Sequence, residues 1–282
     1  MGAGQAGDPV GQCLEIVRAH DPDRYTATLY LGQNARKVAA AVYAFDAEIA
    51  RIADRVSEPM PGKIRLQWWR EVVEGSRETG NHPVATALID AIRIHELPRE
   101  PFLAAIEART FDLYHDPMPD RTALEAYCGE TGSVLLQMVA LSAGALRGSE
   151  LADACGHAGV ALRLTEILRR APLYRARGKC PFPADMLSSV GLSVDEWLRE
   201  PPQARHGAAI SAVASLAREH LGRARMAIAE LLPAVRPVFL PLAVVPAWLG
   251  AMDAAAERHL LSPVSVSPLR RQWIFLRSAL AG

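Results

Sequence analysis

The stretch Asn34-Ala-Arg-Lys-Val-Ala-Ala-Ala-Val-Tyr-Ala-Phe-Asp-Ala-Glu-Ile-Ala-Arg-Ile-Ala-Asp-Arg-Val-Ser57 decides the fold class. Its apolar residues Val38, Val42, Phe45, Ile49, Ile52 and Val56 recur at spacings of four and three. That is one face of a long helix, with Asn34 as its N-cap. The opposite face gathers Arg36, Tyr43, Ala50 and Asp54 in a narrow sector, flanked by Ala39, Ala40 and Ala47. A solvated face carries more charge and fewer alanines. The helix therefore reads as buried on both faces, as lining a cavity, or as closely packed on another helix.

The same periodicity extends outward through Ile64–Val73, Val84–Leu97, Phe102–Leu113 and Leu124–Leu141. It continues through Ala152–Ala171, Ala208–Leu232, Val238–Met252 and Leu269–Leu280. Prolines fall between the segments, and no alternating run bounded by turn residues reads as a strand. No repeat or low-complexity linker divides the chain. The expectation is an all-α protein with one domain over residues 1–282.

The 282 residues are 50% hydrophobic, enough for a large core and incompatible with disorder. Thirty-one basic residues balance thirty-one acidic ones, which excludes a general nucleic-acid binder. Cys13, Cys128, Cys155 and Cys180 form no CxxC pair and read as reduced thiols of a cytosolic-type compartment. Met1–Pro9 shows neither a secretory nor an import pattern. The most apolar stretch, Leu231–Met252, contains Arg236 and prolines at 233, 237, 241 and 246. It holds no uninterrupted run near the roughly 20 residues of a span and reads as a buried helix pair.

A second stripe lies on Ala152–Ala171. Arg163, Glu166 and Arg170, then Tyr174 beyond Pro172, are spaced three, four and four, while Val160, Leu164, Ile167 and Ala171 face the other way. On periodicity alone the stripe is a solvated face or a site. Asp112-Leu-Tyr-His-Asp116 reads as a surface carboxylate pair at a helix end. Cys155-Gly-His157 has no second half for zinc, and the eight histidines contain no HExxH.

At these residues the chain resembles a family. Tyr43-Ala44-Phe45 with Arg36 seven residues earlier resembles the first signature of squalene and phytoene synthases. Gly159-Val-Ala-Leu-Arg-Leu-Thr-Glu-Ile-Leu-Arg-Arg170, followed by Arg177-Gly178-Lys179 and Pro183, resembles the second. His82-Pro83-Val84, Asp112-Leu113 and Tyr127-Cys128 match in order and spacing, and the resemblance is strongest from about Asp21 to Leu187. It implies an isoprenoid-synthase-type helical bundle around a central cavity. Such enzymes join two prenyl diphosphates, using Mg²⁺ held between aspartate motifs to stabilise the departing diphosphate.

The chain departs from that pattern where the metal binds. The early aspartates of the first motif fall on Ala50 and Arg51, leaving Asp54. The second motif holds Arg163, Glu166, Arg170 and Tyr174. One fixed positive charge at about 4 Å, with an effective dielectric near 20, opposes a dication by roughly 8 kcal/mol. Arg36, Tyr43, Asp54, Arg163, Glu166, Arg170 and Tyr174 are therefore expected to line a remnant pocket. None is nominated as catalytic or as a metal ligand, and no cofactor is expected.

Phe45-Asp-Ala-Glu-Ile-Ala-Arg, Val56-Ser-Glu-Pro and Gly62-Lys-Ile-Arg-Leu-Gln-Trp-Trp-Arg70 resemble a non-catalytic branch of the family, that of a mitochondrial respiratory complex I assembly factor and its bacterial relatives. The resemblance implies a protein partner in the assembly of a membrane enzyme, NADH dehydrogenase. It also implies a cytoplasmic location with peripheral contact at the inner membrane. Gln67-Trp68-Trp69-Arg70 reads as a helix with tryptophan packed into the core. Two alternatives stand beside this reading. One is a prenyltransferase needing Mg²⁺ or gripping diphosphate with Arg36, Arg163 and Arg170. The other is a carrier that holds a prenyl or lipid-like ligand without turnover.

Overall fold

The computed structural model describes residues 8–281, so the leaderless reading of the N-terminus lies, for residues 1–7, outside the described residues. Among the described residues there is no strand, as the periodicity predicts. The helices are α1 (Pro9–His20), α2 (Pro22–Thr28), α3 (Gln33–Ala50), α4 (Pro59–Glu74), α5 (Pro83–Ile94), α6 (Glu100–Ala108) and α7 (Arg121–Cys128). They continue with α8 (Val134–Ser142), α9 (Ser149–Ala176), α10 (Ala184–Ser189), α11 (Val194–Arg199), α12 (Ala204–Ala229), α13 (Val245–Ala255) and α14 (Pro268–Ala281).

Four of these have no counterpart in the periodic pattern: α1, α2, α10 and α11, of 12, 7, 6 and 6 residues. Their signal is in the caps. Asp8 and Asp21 each precede a proline in the first turn and accept a backbone N–H with the side chain. Ser193 and Glu196 form a reciprocal capping box at α11.

The chain forms two compact units. The first runs through the described residues to Tyr114, with Val134–Arg147 and Leu232–Val238. Its axis is α3, which packs against α1, α2, α5 and α8. Residues 38–46 are buried without a break, so this helix is buried on both faces. Phe45 meets Trp69 of α4 edge to face at 5.1 Å and Phe102 of α6 at 5.8 Å. Both ends of α3 differ from expectation. Its N-cap is Gly32, not Asn34, because Arg36 donates to the carbonyls of Leu29 (2.6 Å) and Leu31 (3.0 Å) and closes the preceding turn. It stops at Ala50, and residues 51–55 form a turn that carries Asp54 off the helix.

A charge is buried on this axis. The Asp46 carboxylate, 3% exposed, accepts from Arg24 at 2.7 Å and from Arg109 at 2.8 Å. Arg24 also pairs with Asp21 at 3.5 Å, and Arg109 with Asp112 at 3.1 Å. Asp112 is therefore part of a largely buried ion network rather than of a surface pair; only Asp116 is exposed.

The second unit comprises His115–Ser133, Gly148–Leu231 and the described residues from Phe239. Its spine is α9, whose 28 residues span about 42 Å at 1.5 Å each, with α12 packed along it. The stretch expected as one helix over Leu124–Leu141 is α7, a π-helical turn over Gly129–Ser133, and α8. That turn presses on α9: a Cβ at Gly159 would stand 2.2 Å from the Ser133 backbone nitrogen. Ser133 Oγ donates to the Gly156 carbonyl at 2.8 Å and fixes the contact.

The apolar stretch is helical across its prolines but is not one α-helix. Arg236–Leu260 is a helical segment of 25 residues, long and apolar enough by length and composition to cross a membrane. It is a 3-10 helix over Arg236–Val244, then α13, then a 3-10 turn over Ala256–Leu260. Pro246 sits in the first turn of α13, where its missing N–H has no partner to lose. Of its most apolar window 56% is buried in the fold. The four cysteines are free and buried, and burial pushes Cys13 and Cys155 up to about 12 and Cys180 to about 11.

Three outcomes follow from these charges and rings. Asp46→Asn keeps the shape and leaves two guanidinium groups without their shared counter-charge; it should lower the unfolding free energy by about 3–5 kcal/mol in urea titration. Asp116→Asn, on an exposed carboxylate, should change it by less than about 0.5 kcal/mol. Burial holds the pKa of His206 and His259 below the ordinary value near 6.5. His259 donates from Nε2 to the Leu168 carbonyl (2.8 Å) and accepts the Val264 N–H at Nδ1 (3.2 Å), which leaves no place for a second proton. Below about 6.5 the unfolded chain binds protons that the folded chain refuses. The melting temperature should therefore fall as pH drops from about 7 to about 5; a flat profile refutes this account.

Candidate functional site

Three of the seven expected pocket residues belong to the first unit and four to the second. In the first unit, Arg36 is spent on the carbonyls of Leu29 and Leu31, which makes it a clamp on the α2–α3 turn. Tyr43 is 3% exposed, and the Arg24 guanidinium lies 4.9 Å from its ring centre. Tyr43 therefore belongs to the packing around Arg24 and Asp46. Asp54 is half-buried in the turn after α3, its N–H donating to the Arg51 carbonyl at 3.2 Å.

The four residues of the second unit lie along α9 and interact in pairs. Arg163 is 2% exposed. It donates to the Glu166 carboxylate and to the Thr131 carbonyl in the π-helical turn. Thr131 in turn donates its hydroxyl to the Tyr127 carbonyl at 2.7 Å. One turn further on, the Arg170 guanidinium lies 5.2 Å from the Tyr174 ring centre, a cation–π contact. The neighbouring Arg169 stacks on Trp248 of α13 at 3.9 Å. This stripe is thus no solvated face: it is an ion pair and a stacked pair set along one helix.

The donor set does not fit Mg²⁺. Hard dications take several oxygen ligands, most of them carboxylates. Of the seven residues only Asp54 and Glu166 carry one, and Glu166 is held by Arg163. Among the described residues, no group of three or more His, Cys, Asp or Glu side chains is placed to hold a metal ion.

Sequence reasoning missed two other arrangements. Trp69 is core, as expected, but Trp68 is half-buried, lies tilted against the His82 ring at 5.0 Å, and lines a cleft of about 490 Å³ in the first unit. Gln67, Arg70 and Glu107 share its wall, with Arg70 paired to Glu107. In the second unit, His157 Nδ1 lies 3.0 Å from His220 Nδ1, and His220 Nε2 lies 3.0 Å from Glu125. The carboxylate requires a proton on His220 Nε2, so in the neutral pair His157 donates and His220 accepts. The Trp-Trp doublet was a visible signal for the first arrangement. The second joins residues 63 apart in sequence, which spacing could not reveal.

Known proteins share this architecture. The squalene/phytoene synthase profile matches residues 17–271. The NADH dehydrogenase (ubiquinone) complex I, assembly factor 6 of Bos taurus is 31% identical over 215 residues, which cover 76% of this chain and 64% of that protein. The chain thus spans slightly less than two thirds of that relative. The presqualene diphosphate synthase of Sinorhizobium fredii is 28% identical over 185 residues, covering 62% of this chain and 66% of the synthase. The crystal structure of a dehydrosqualene synthase in complex with ligand aligns with a TM-score of 0.80 over 98% of this chain and 97% of its own. At 18% identity that likeness is one of fold: helical and of the isoprenoid-synthase type. The profile match along nearly the whole chain places it: the chain belongs to the squalene/phytoene synthase family.

Proposed function

We propose that this chain is a synthase-fold assembly factor for the respiratory NADH dehydrogenase, acting through protein contact at the membrane and without turnover of prenyl diphosphates. One observation carries the loss of chemistry. The α9 stripe that would present metal-binding carboxylates presents the Arg163–Glu166 ion pair and the Arg170–Tyr174 stack. Each arginine opposes a dication at about 4 Å by roughly 8 kcal/mol, and a single paired carboxylate does not offset that. The assembly role is supported by likeness to the bovine assembly factor. Asp46, Gly159 and Arg163 hold their helices through contacts within the chain, which suits a scaffold. The partner is a subunit or intermediate of the membrane enzyme, and the location is the cytoplasmic side of the inner membrane.

Turnover and assembly are tested separately. Purified protein incubated with farnesyl or geranylgeranyl diphosphate, with and without Mg²⁺, should yield no condensed product and no released diphosphate by mass spectrometry. Mg²⁺-dependent product would make the chain a synthase. A prenyl diphosphate that raises the melting temperature without product would make the pocket a carrier site. A deletion strain should lose NADH–quinone oxidoreductase activity and the assembled complex on native gels. Asp54→Asn should restore both, because no metal chemistry is asked of that carboxylate; normal assembly in the deletion strain refutes the role.

A further inference from the structure

The C-terminal helix α14 is docked by its back. At 100° per residue, Leu269, Trp273, Leu276 and Leu280 fall in a sector about 60° wide. They are 80%, 66%, 42% and 81% exposed. The packed face lies opposite: Phe275 is 1% exposed, and the Arg271 guanidinium lies 5.8 Å from the Trp248 ring centre. Single exposed apolar residues are ordinary, but four large ones aligned on one helix mark an interaction surface.

Charge selects what covers it. The sequence contains no Asp or Glu after Glu257, while α14 carries Arg270, Arg271 and Arg277. Arg270 and Arg277 are both exposed and lie on one flank, roughly 70–90° from the centre of the apolar stripe. A second copy of the chain would bring these arginines toward their own equivalents, a like-charge contact that disfavours pairing. A surface that is anionic above and apolar below meets both features at once. The stripe enters the boundary with the acyl chains, and the arginines stay among the headgroups.

We propose that α14 lies in the plane of an anionic lipid surface, with Leu269, Trp273, Leu276 and Leu280 inserted and Arg270 and Arg277 on the phosphates. This deepens the assembly reading, on whose membrane placement it rests, by naming the contact. The test is flotation of the full chain with vesicles of phosphatidylcholine alone or with roughly a third phosphatidylglycerol. The protein should float with the anionic vesicles, and less so as salt rises. Arg270→Gln with Arg277→Gln should weaken that binding about thirtyfold. Leu269→Ser, Trp273→Ser and Leu280→Ser together should abolish it with the melting temperature nearly unchanged, since all three side chains are exposed. Folded protein that floats with neither lipid overturns the proposal. So does flotation untouched by both sets of changes, or capture of α14 by an acidic protein without vesicle binding. Failure to float beside a positive deletion phenotype removes this contact alone. Flotation beside normal complex I assembly removes the assembly role alone.

Discussion

Asp46 carries one negative charge at the middle of a helix that is buried for nine consecutive residues, and a carboxylate there is tolerable only if it is answered in kind. The answer comes from two arginines, one on α2 and one just past α6, each within 2.8 Å of a different carboxylate oxygen. Because both oxygens are used, α2 and the end of α6 cannot shift along α3 without stranding a charge. Tyr43 stacks under Arg24, and Arg36 closes the turn between α2 and α3. Tyr43, an expected pocket residue, thus packs directly on this network, and Arg36 fixes the turn that joins its two helices.

The second unit meets its constraint by shape. Gly159 lets the π-helical turn approach α9 so closely that any side chain would collide with the backbone of Ser133. Backbone atoms cannot give way as a flexible side-chain end can, so this contact depends on a missing Cβ. Arg163 then reaches from α9 into the same turn and takes the Thr131 carbonyl. An extra residue in a helix leaves carbonyls without their usual partner, and π-helical turns gather at sites for that reason. Here an arginine from a neighbouring helix supplies the missing donor.

The fold class was legible because α3, α9 and α12 are long enough for a stripe to repeat several times, and each repeat is independent support for the helical period. The boundaries were less so. Asn34 satisfies the composition rule for an N-cap, but the turn closed by Arg36 starts the helix two residues earlier, and this is a contact that composition does not encode. The π-helical turn at Gly129 was hidden because one inserted residue barely alters the apolar spacing around it. Of the candidate site, the α9 stripe was visible as a pattern and undecided as chemistry. Solvated and buried polar stripes share the same period; only the burial of Arg163 separates them. Asp46 was passed over because one acidic residue on an alanine-rich helix carries no periodic signal.

The arginine stripe also bears on the proposal that this synthase fold works without turnover. Carboxylates crowded on facing helices repel one another and depend on bound cations to keep them together, so removal of the metal alone leaves a strained site. Arg163, Arg170 and Tyr174 carry no such repulsion and make contacts within the chain: an ion pair, a carbonyl bond and a cation–π stack. Each of these stabilises α9 and opposes a dication. Arg170→Asp would break the stack on Tyr174 and supply one carboxylate where a hard dication takes several. The exposed residues of α14, which take no part in the core, are the surface that such a scaffold would offer.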